Sequence, residues 1–129
     1  MATIHILSGN DLLKAARDGI TKEMVNAIIR STGLSLNEFG HYIHLTARAI
    51  QRKKLNEKLS PGASERALLI SNLYNKGCEV FGSKDKFKEW IESKNIVFSN
   101  AKPKEYLDTF SGIEYLMEEL GRIEHGFMA

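Results

Sequence analysis

The sequence predicts an all-α fold, and three observations carry the prediction. Apolar residues recur every three or four positions through most of the 129 residues, which places them along one side of a helix. Most of these runs open on serine or threonine, whose side chains accept the orphan N–H groups of a first helical turn, and several close on glycine. No stretch alternates apolar and polar residues as a half-buried strand does. A hydrophobic content of 43% with 26% charged residues is that of a globular chain and excludes wholesale disorder.

Thr3 to Leu7 is apolar but too short to assign. Ser8, with Asp11 three residues on, resembles an N-terminal cap, and Leu12, Leu13 and Ala16 keep helical spacing until Gly19. Thr21 caps a second helix with Met24, Val25, Ile28 and Ile29 on one side, and Gly33 stops it. Ser35-Leu36-Asn37-Glu38 is a capping box, in which serine and glutamate each satisfy a backbone donor of the other. The helix it opens carries Leu36, Phe39, Gly40 and Ile43. Thr46 caps the next helix and turns Ile50 inward, which leaves His44-Leu45 as the turn. Two helices joined so tightly, with small Gly40 allowing close approach, form a helix-turn-helix.

At Ser60-Pro61 the pattern changes. Proline suits a first helical position because its missing N–H costs nothing there. Leu69, Ile70, Leu73, Gly77, Val80 and Phe81 then give a wide apolar face, broadened by Ala67, Tyr74 and Cys78 and closed by Gly82. So wide a face on so small a domain predicts a partner copy against part of it. Ser83 starts a short helix that buries Phe87, Trp90 and Ile91. Asn95 to Ala101 reads as a loop, Pro103 opens a helix with Tyr106 and Leu107, and Gly112 ends it. Ile113, Leu116, Met117, Leu120 and Ile123 define the last helix, with Glu114, Glu118 and Glu119 on its solvated face. Two regions follow: a helix-turn-helix DNA-binding region over 1–59 and a second helical domain over 60–129.

Charge separates the halves. Residues 1–66 hold 10 Lys/Arg against 6 Asp/Glu, a net of +4, while residues 67–129 hold 8 against 10, a net of −2. The first half is therefore the one suited to phosphates. Arg48, Gln51 and Arg52 recur at helical spacing opposite Ile50 and can share an outward face. Arginine bonds guanine bidentately and glutamine bonds adenine, on edges displayed in the major groove. Thr46 caps this helix beside them, and Lys53, Lys54 and Lys58 suit phosphates, which position a protein without reading sequence. A solvated charged helix is the alternative reading of the same residues. Leu55 is out of phase with Ile50, so the helix is expected to stop near Lys54.

Enzymatic classes find no support. The chain has neither a GxxxxGK phosphate loop nor a GxGxxG fingerprint, so no cofactor is expected. Cys78 is the only cysteine; it allows no internal disulfide, suits a reducing cytoplasm, and reads as a small buried hydrophobe. His41 and His44 do not make a closed metal site, and His125 has no serine or cysteine near it in sequence. No apolar run is long enough to span a membrane. A DNA-reading half joined to a non-catalytic half suggests a regulator that grips a second protein.

The order of residues in that second half resembles the antitoxin family called Xre/MbcA/ParS. The resemblance is carried by Arg52, Leu59, Ser64-Glu65-Arg66, Val80-Phe81-Gly82, Trp90, Ile91, Asn95, Phe98, Pro103, Thr109, Gly112, Leu120, Arg122, Ile123 and Gly126. Phe98 stands where leucine is usual, Ser99-Asn100 replace glycines, and His125 stands where tyrosine is common. The resemblance implies a dimeric, all-helical antitoxin with an Xre-like helix-turn-helix and a C-terminal toxin-binding and dimerisation domain. It further implies as partner a RES-domain toxin acting on NAD, and operator DNA for autoregulation. It also places the C-terminal end at the entrance of the toxin's NAD site. The residues expected there are Arg122, Ile123, His125, Gly126, Phe127, Met128 and Ala129, with Gly126 letting the backbone leave the helix. An ordinary frayed terminus is the reading of that tail without the resemblance. A stand-alone dimeric helix-turn-helix regulator is the alternative for the whole chain.

Overall fold

A computed structural model describes residues 9–128. Among them the secondary structure is helical, with isolated bridges only at Thr21–Lys58 and Asn95–Ala101. The fold is all-α. By packing, the chain divides after Asn72 into two units. The division falls inside a long helix.

The N-terminal unit opens with α1, Gly9–Asp18, and α2, Lys22–Thr32. The cap assigned to Ser8 and the segment Thr3 to Leu7 lie outside the described residues. Thr21 caps α2, its hydroxyl accepting from the Met24 N–H at 3.2 Å, and Gly33 ends it at φ 74°. Val25 and Ile28 are buried as expected, but Met24 and Leu13 turn outward, 39% and 45% exposed. Helix α3, Leu36–Ile43, carries the expected capping box: Ser35 Oγ accepts from Glu38 N–H and Glu38 Oε1 from Ser35 N–H, at 3.0 and 3.1 Å. Helix α4 is Ala47–Gln51, capped by Thr46.

After α4 the chain runs back along the start of α2. Leu55, Glu57 and Ile20 carbonyls accept from Glu23, Lys22 and Leu59 N–H groups at 3.1, 3.0 and 2.8 Å. Ser64 is fully buried beneath this crossing. Its hydroxyl accepts from the Ile20 N–H at 2.9 Å and donates to the Leu59 carbonyl at 3.4 Å. A buried N–H left unpaired is costly, so this one hydroxyl ties two distant segments to the helix that follows.

That helix, α5, spans Pro61–Phe81 and runs across the division between the units. Ala67, Leu68, Ile70 and Leu73 are each no more than 1% exposed in a single chain. Leu69, Val80 and Phe81 of the same face are half-buried in the single chain. Cys78 is half-buried rather than buried; burial pushes its thiol up, and the nearby Lys84 ammonium opposes that in part.

The C-terminal unit is built on aromatic contacts. Helix α6, Lys84–Glu92, is capped by Ser83 and buries Phe87 and Ile91, with Trp90 at the margin. Phe87 meets Tyr74 edge-on at 5.2 Å, and Phe98 meets Trp90, Tyr106 and Tyr115 at 5.8, 5.2 and 5.5 Å. Edge-to-face packing of this kind suits the ring quadrupoles. The segment read as a loop contains a 3-10 turn, Ile96–Phe98, and the helix expected from Pro103 is also 3-10, Pro103–Asp108.

Gly112 does not end a helix. It lies in the first turn of α7, Phe110–Met128, where its N–H donates to Thr109 Oγ1 at 3.0 Å. A Cβ at 112 would stand 1.9 Å from the Tyr106 carbonyl oxygen, so the glycine is there for close passage rather than for termination. Ile113, Leu116 and Leu120 are buried, Met117 and Ile123 half-buried, and Glu114 and Glu118 exposed, while Glu119 is half-buried.

Candidate functional site

Two surfaces can meet a macromolecule, one in each unit. The first begins at Gly40. A Cβ there would lie 2.5 Å from the Leu45 carbonyl oxygen and 3.5 Å from the Ala47 nitrogen and Ile50 Cδ1. Only glycine lets α3 pass so close to the turn and to α4. His44 makes the turn at φ 65°, the left-handed region, and the Leu45 N–H donates to the Gly40 carbonyl at 2.9 Å. Histidine there bears a conformational cost that glycine would not.

With the turn fixed, Thr46 Oγ1 accepts from the Ala49 N–H at 3.0 Å and α4 begins. Ile50, 1% exposed, points inward. Arg48, Gln51 and Arg52 are exposed, as is Lys54, while Lys53 is half-buried. The three residues at helical spacing thus share the solvent side of α4. The helix stops earlier than the sequence suggested: Arg52 is its C-cap, and Lys53 and Lys54 lie beyond it. At this end Lys22 Nζ donates to the Gln51 and Lys53 carbonyls at 2.9 Å each. A cation at a helix C-terminus complements the dipole and takes the orphan acceptors. Sequence reasoning missed Lys22, which lies about 30 residues away along the chain. One signal was present: a lysine in the first turn of α2 opposes that helix's own dipole and invites another role.

The second surface is the far end of α7. Glu124 Oε1 pairs with Lys76 Nζ at 3.0 Å, both side chains half-buried, so α7 is tied to α5 within the C-terminal unit up to that point. Arg122 pairs with Glu119 on its own helix, and that carboxylate holds the guanidinium more firmly charged than usual. Ile123 is half-buried, while His125 and Gly126 are exposed. Gly126 does not release the backbone: helical geometry continues through Met128, which corrects the expectation of an exit there. The side chains of Phe127 and Met128, and all of Ala129, lie outside the described residues.

Comparison with known families bears on both surfaces. Residues 11–72 match the model of the antitoxin Xre-like helix-turn-helix domain. Residues 77–126 match that of the antitoxin Xre/MbcA/ParS C-terminal toxin-binding domain. The chain belongs to the Xre/MbcA/ParS-like antitoxin family. No curated protein matches the antitoxin closely enough to stand beside it as a relative. Its two domains imply a toxin as partner and DNA as ligand, and such families are generally non-enzymatic. Among the described residues no helix is long and apolar enough to cross a membrane.

Proposed function

We propose that this antitoxin neutralises a RES-domain toxin, one that degrades NAD or transfers its ADP-ribose, and that it represses its own operon through α3 and α4. One observation carries the proposal: a helix-turn-helix with Arg48, Gln51 and Arg52 exposed shares a chain with a toxin-binding domain. On the DNA side, Arg48, Gln51 and Arg52 read base edges in the major groove. Thr46, Lys53 and Lys54 hold the phosphates on either side. A homodimer presents two such helices to a two-fold operator.

On the toxin side, the segment from Arg122 to Ala129 reaches the NAD site and excludes substrate. The Lys76–Glu124 pair supports this by giving that segment a fixed base, with exposed His125 and Gly126 immediately beyond it. Arg122 donates to Glu119 through Nε and one Nη, and a guanidinium carries five donors, so it can pair a toxin carboxylate as well. A cytoplasmic location suits a lone thiol and a DNA target.

Co-expression with the product of the adjacent reading frame tests the proposal. The expected outcome is a co-purifying complex that leaves NAD intact, a freed partner that consumes it, and a retarded band on the operon's own upstream DNA. A partner inert toward NAD would contradict the RES assignment.

A further inference from the structure

We infer that the antitoxin grips its toxin at a second place, the tip Ile96-Val97 of the loop Asn95–Ala101, set in an apolar recess of the toxin surface. The inference rests on the assignment of residues 77–126 as the toxin-binding domain, within which the loop lies. Ile96 is 83% and Val97 55% exposed, while the next residue, Phe98, is 1% exposed and locked among Trp90, Tyr106 and Tyr115. Single exposed aliphatics are ordinary, but two adjacent branched ones on a rigid pedestal are not.

The rigidity is local and well built. The Asn95 N–H donates to the Ala101 carbonyl at 3.1 Å, and the Asn95 carbonyl accepts from Phe98 and Asn100 at 3.0 and 2.9 Å. Asn95 Oδ1 accepts from the Val97 N–H at 2.9 Å. The chain then turns back through Ser99 and Asn100 at φ 55° and 64°, both left-handed. Side chains displayed on so constrained a backbone lose little further freedom when they bind.

The occupant follows from size and charge. A tip-to-tip contact between two copies across a two-fold axis would bury only two small side chains on each side. Stable interfaces need roughly 1,000 Å² in all. A knob of this size fits instead a hole in a differently shaped partner, as an anchor within a larger contact. Exposed Lys94 and half-buried Lys102 flank the paired base of the loop, so the matching recess carries carboxylates at its rim.

The experiment measures the affinity of the full-length antitoxin for the protein encoded by the adjacent reading frame, without reference to NAD. Ile96→Asp with Val97→Asp is expected to weaken the complex about 100-fold, in the range of anchor residues. Its melting temperature should stay unchanged, because both side chains are exposed. Ile96→Leu with Val97→Leu should stay within a few-fold of the wild type. Undiminished binding by the aspartate pair overturns the inference, as does equal loss in the leucine pair. A change in the free antitoxin's mass with the aspartate pair, toxin binding intact, would assign the tip to a second copy. Absence of any complex with the wild type would overturn the toxin-binding assignment itself, and this inference with it.

Discussion

Arg52 closes α4 with its side chain in solvent, where it can meet a guanine edge. Arg52→Ala is expected to cost about 1–3 kcal/mol on the operator and to relax preference at one base position. Lys54→Ala should instead weaken specific and random DNA alike and lower the salt slope. Gel shifts on both kinds of DNA separate the two, and equal loss for Arg52→Ala would remove its base-reading role. Ser64 makes a different kind of claim. It was visible in the sequence only as part of a family resemblance, because its partners Ile20 and Leu59 are joined to it by folding. Ser64→Ala leaves a buried N–H unpaired and should destabilise the protein by about 1–3 kcal/mol in urea melts. An unshifted midpoint would mean that the hydroxyl is dispensable.

The helices that were legible are those whose ends are written locally. Thr21, Ser35, Thr46, Ser60-Pro61 and Ser83 each cap or open the helix that the sequence placed there, since a cap needs only its own first turn. Gly112 and Gly126 misled because a glycine also serves close passage or sits in open space within a helix, and neither role differs from a stop in one dimension. The length of α4 was misjudged as well, and Lys22, from another helix, takes the carbonyls at its end. Lys22→Met should therefore loosen the end of α4, at a cost of about 1–2 kcal/mol. Amide exchange in residues 50–54 should quicken, and operator binding should fall more than binding to random DNA. Exchange unchanged across that segment would show that α4 ends without help. Ile96 and Val97 were passed over as loop, although branched aliphatics flanked by asparagine and serine were the available sign of a displayed tip.

The chain carries its charge unevenly, net +4 over residues 1–66 and net −2 over 67–129, and the two antitoxin domains fall largely on either side of that change. The fold class and the helix-turn-helix could be read from helical spacing and capping. The toxin-facing residues could not, because nothing in the tail can perform chemistry and its proposed role exists only against a partner. Removing Gly126 to Ala129 spares the Lys76–Glu124 pair and the buried face of α7, so folding and operator binding should persist. The decisive measurement is NAD turnover by the purified toxin complex with full-length and truncated antitoxin. Full-length protein should hold turnover near zero, and truncation should release it while the complex stays assembled. A truncated antitoxin that still inhibits fully would contradict the tail's role as the plug, and inhibition would then come from the helical surface or from holding the toxin in an inactive assembly.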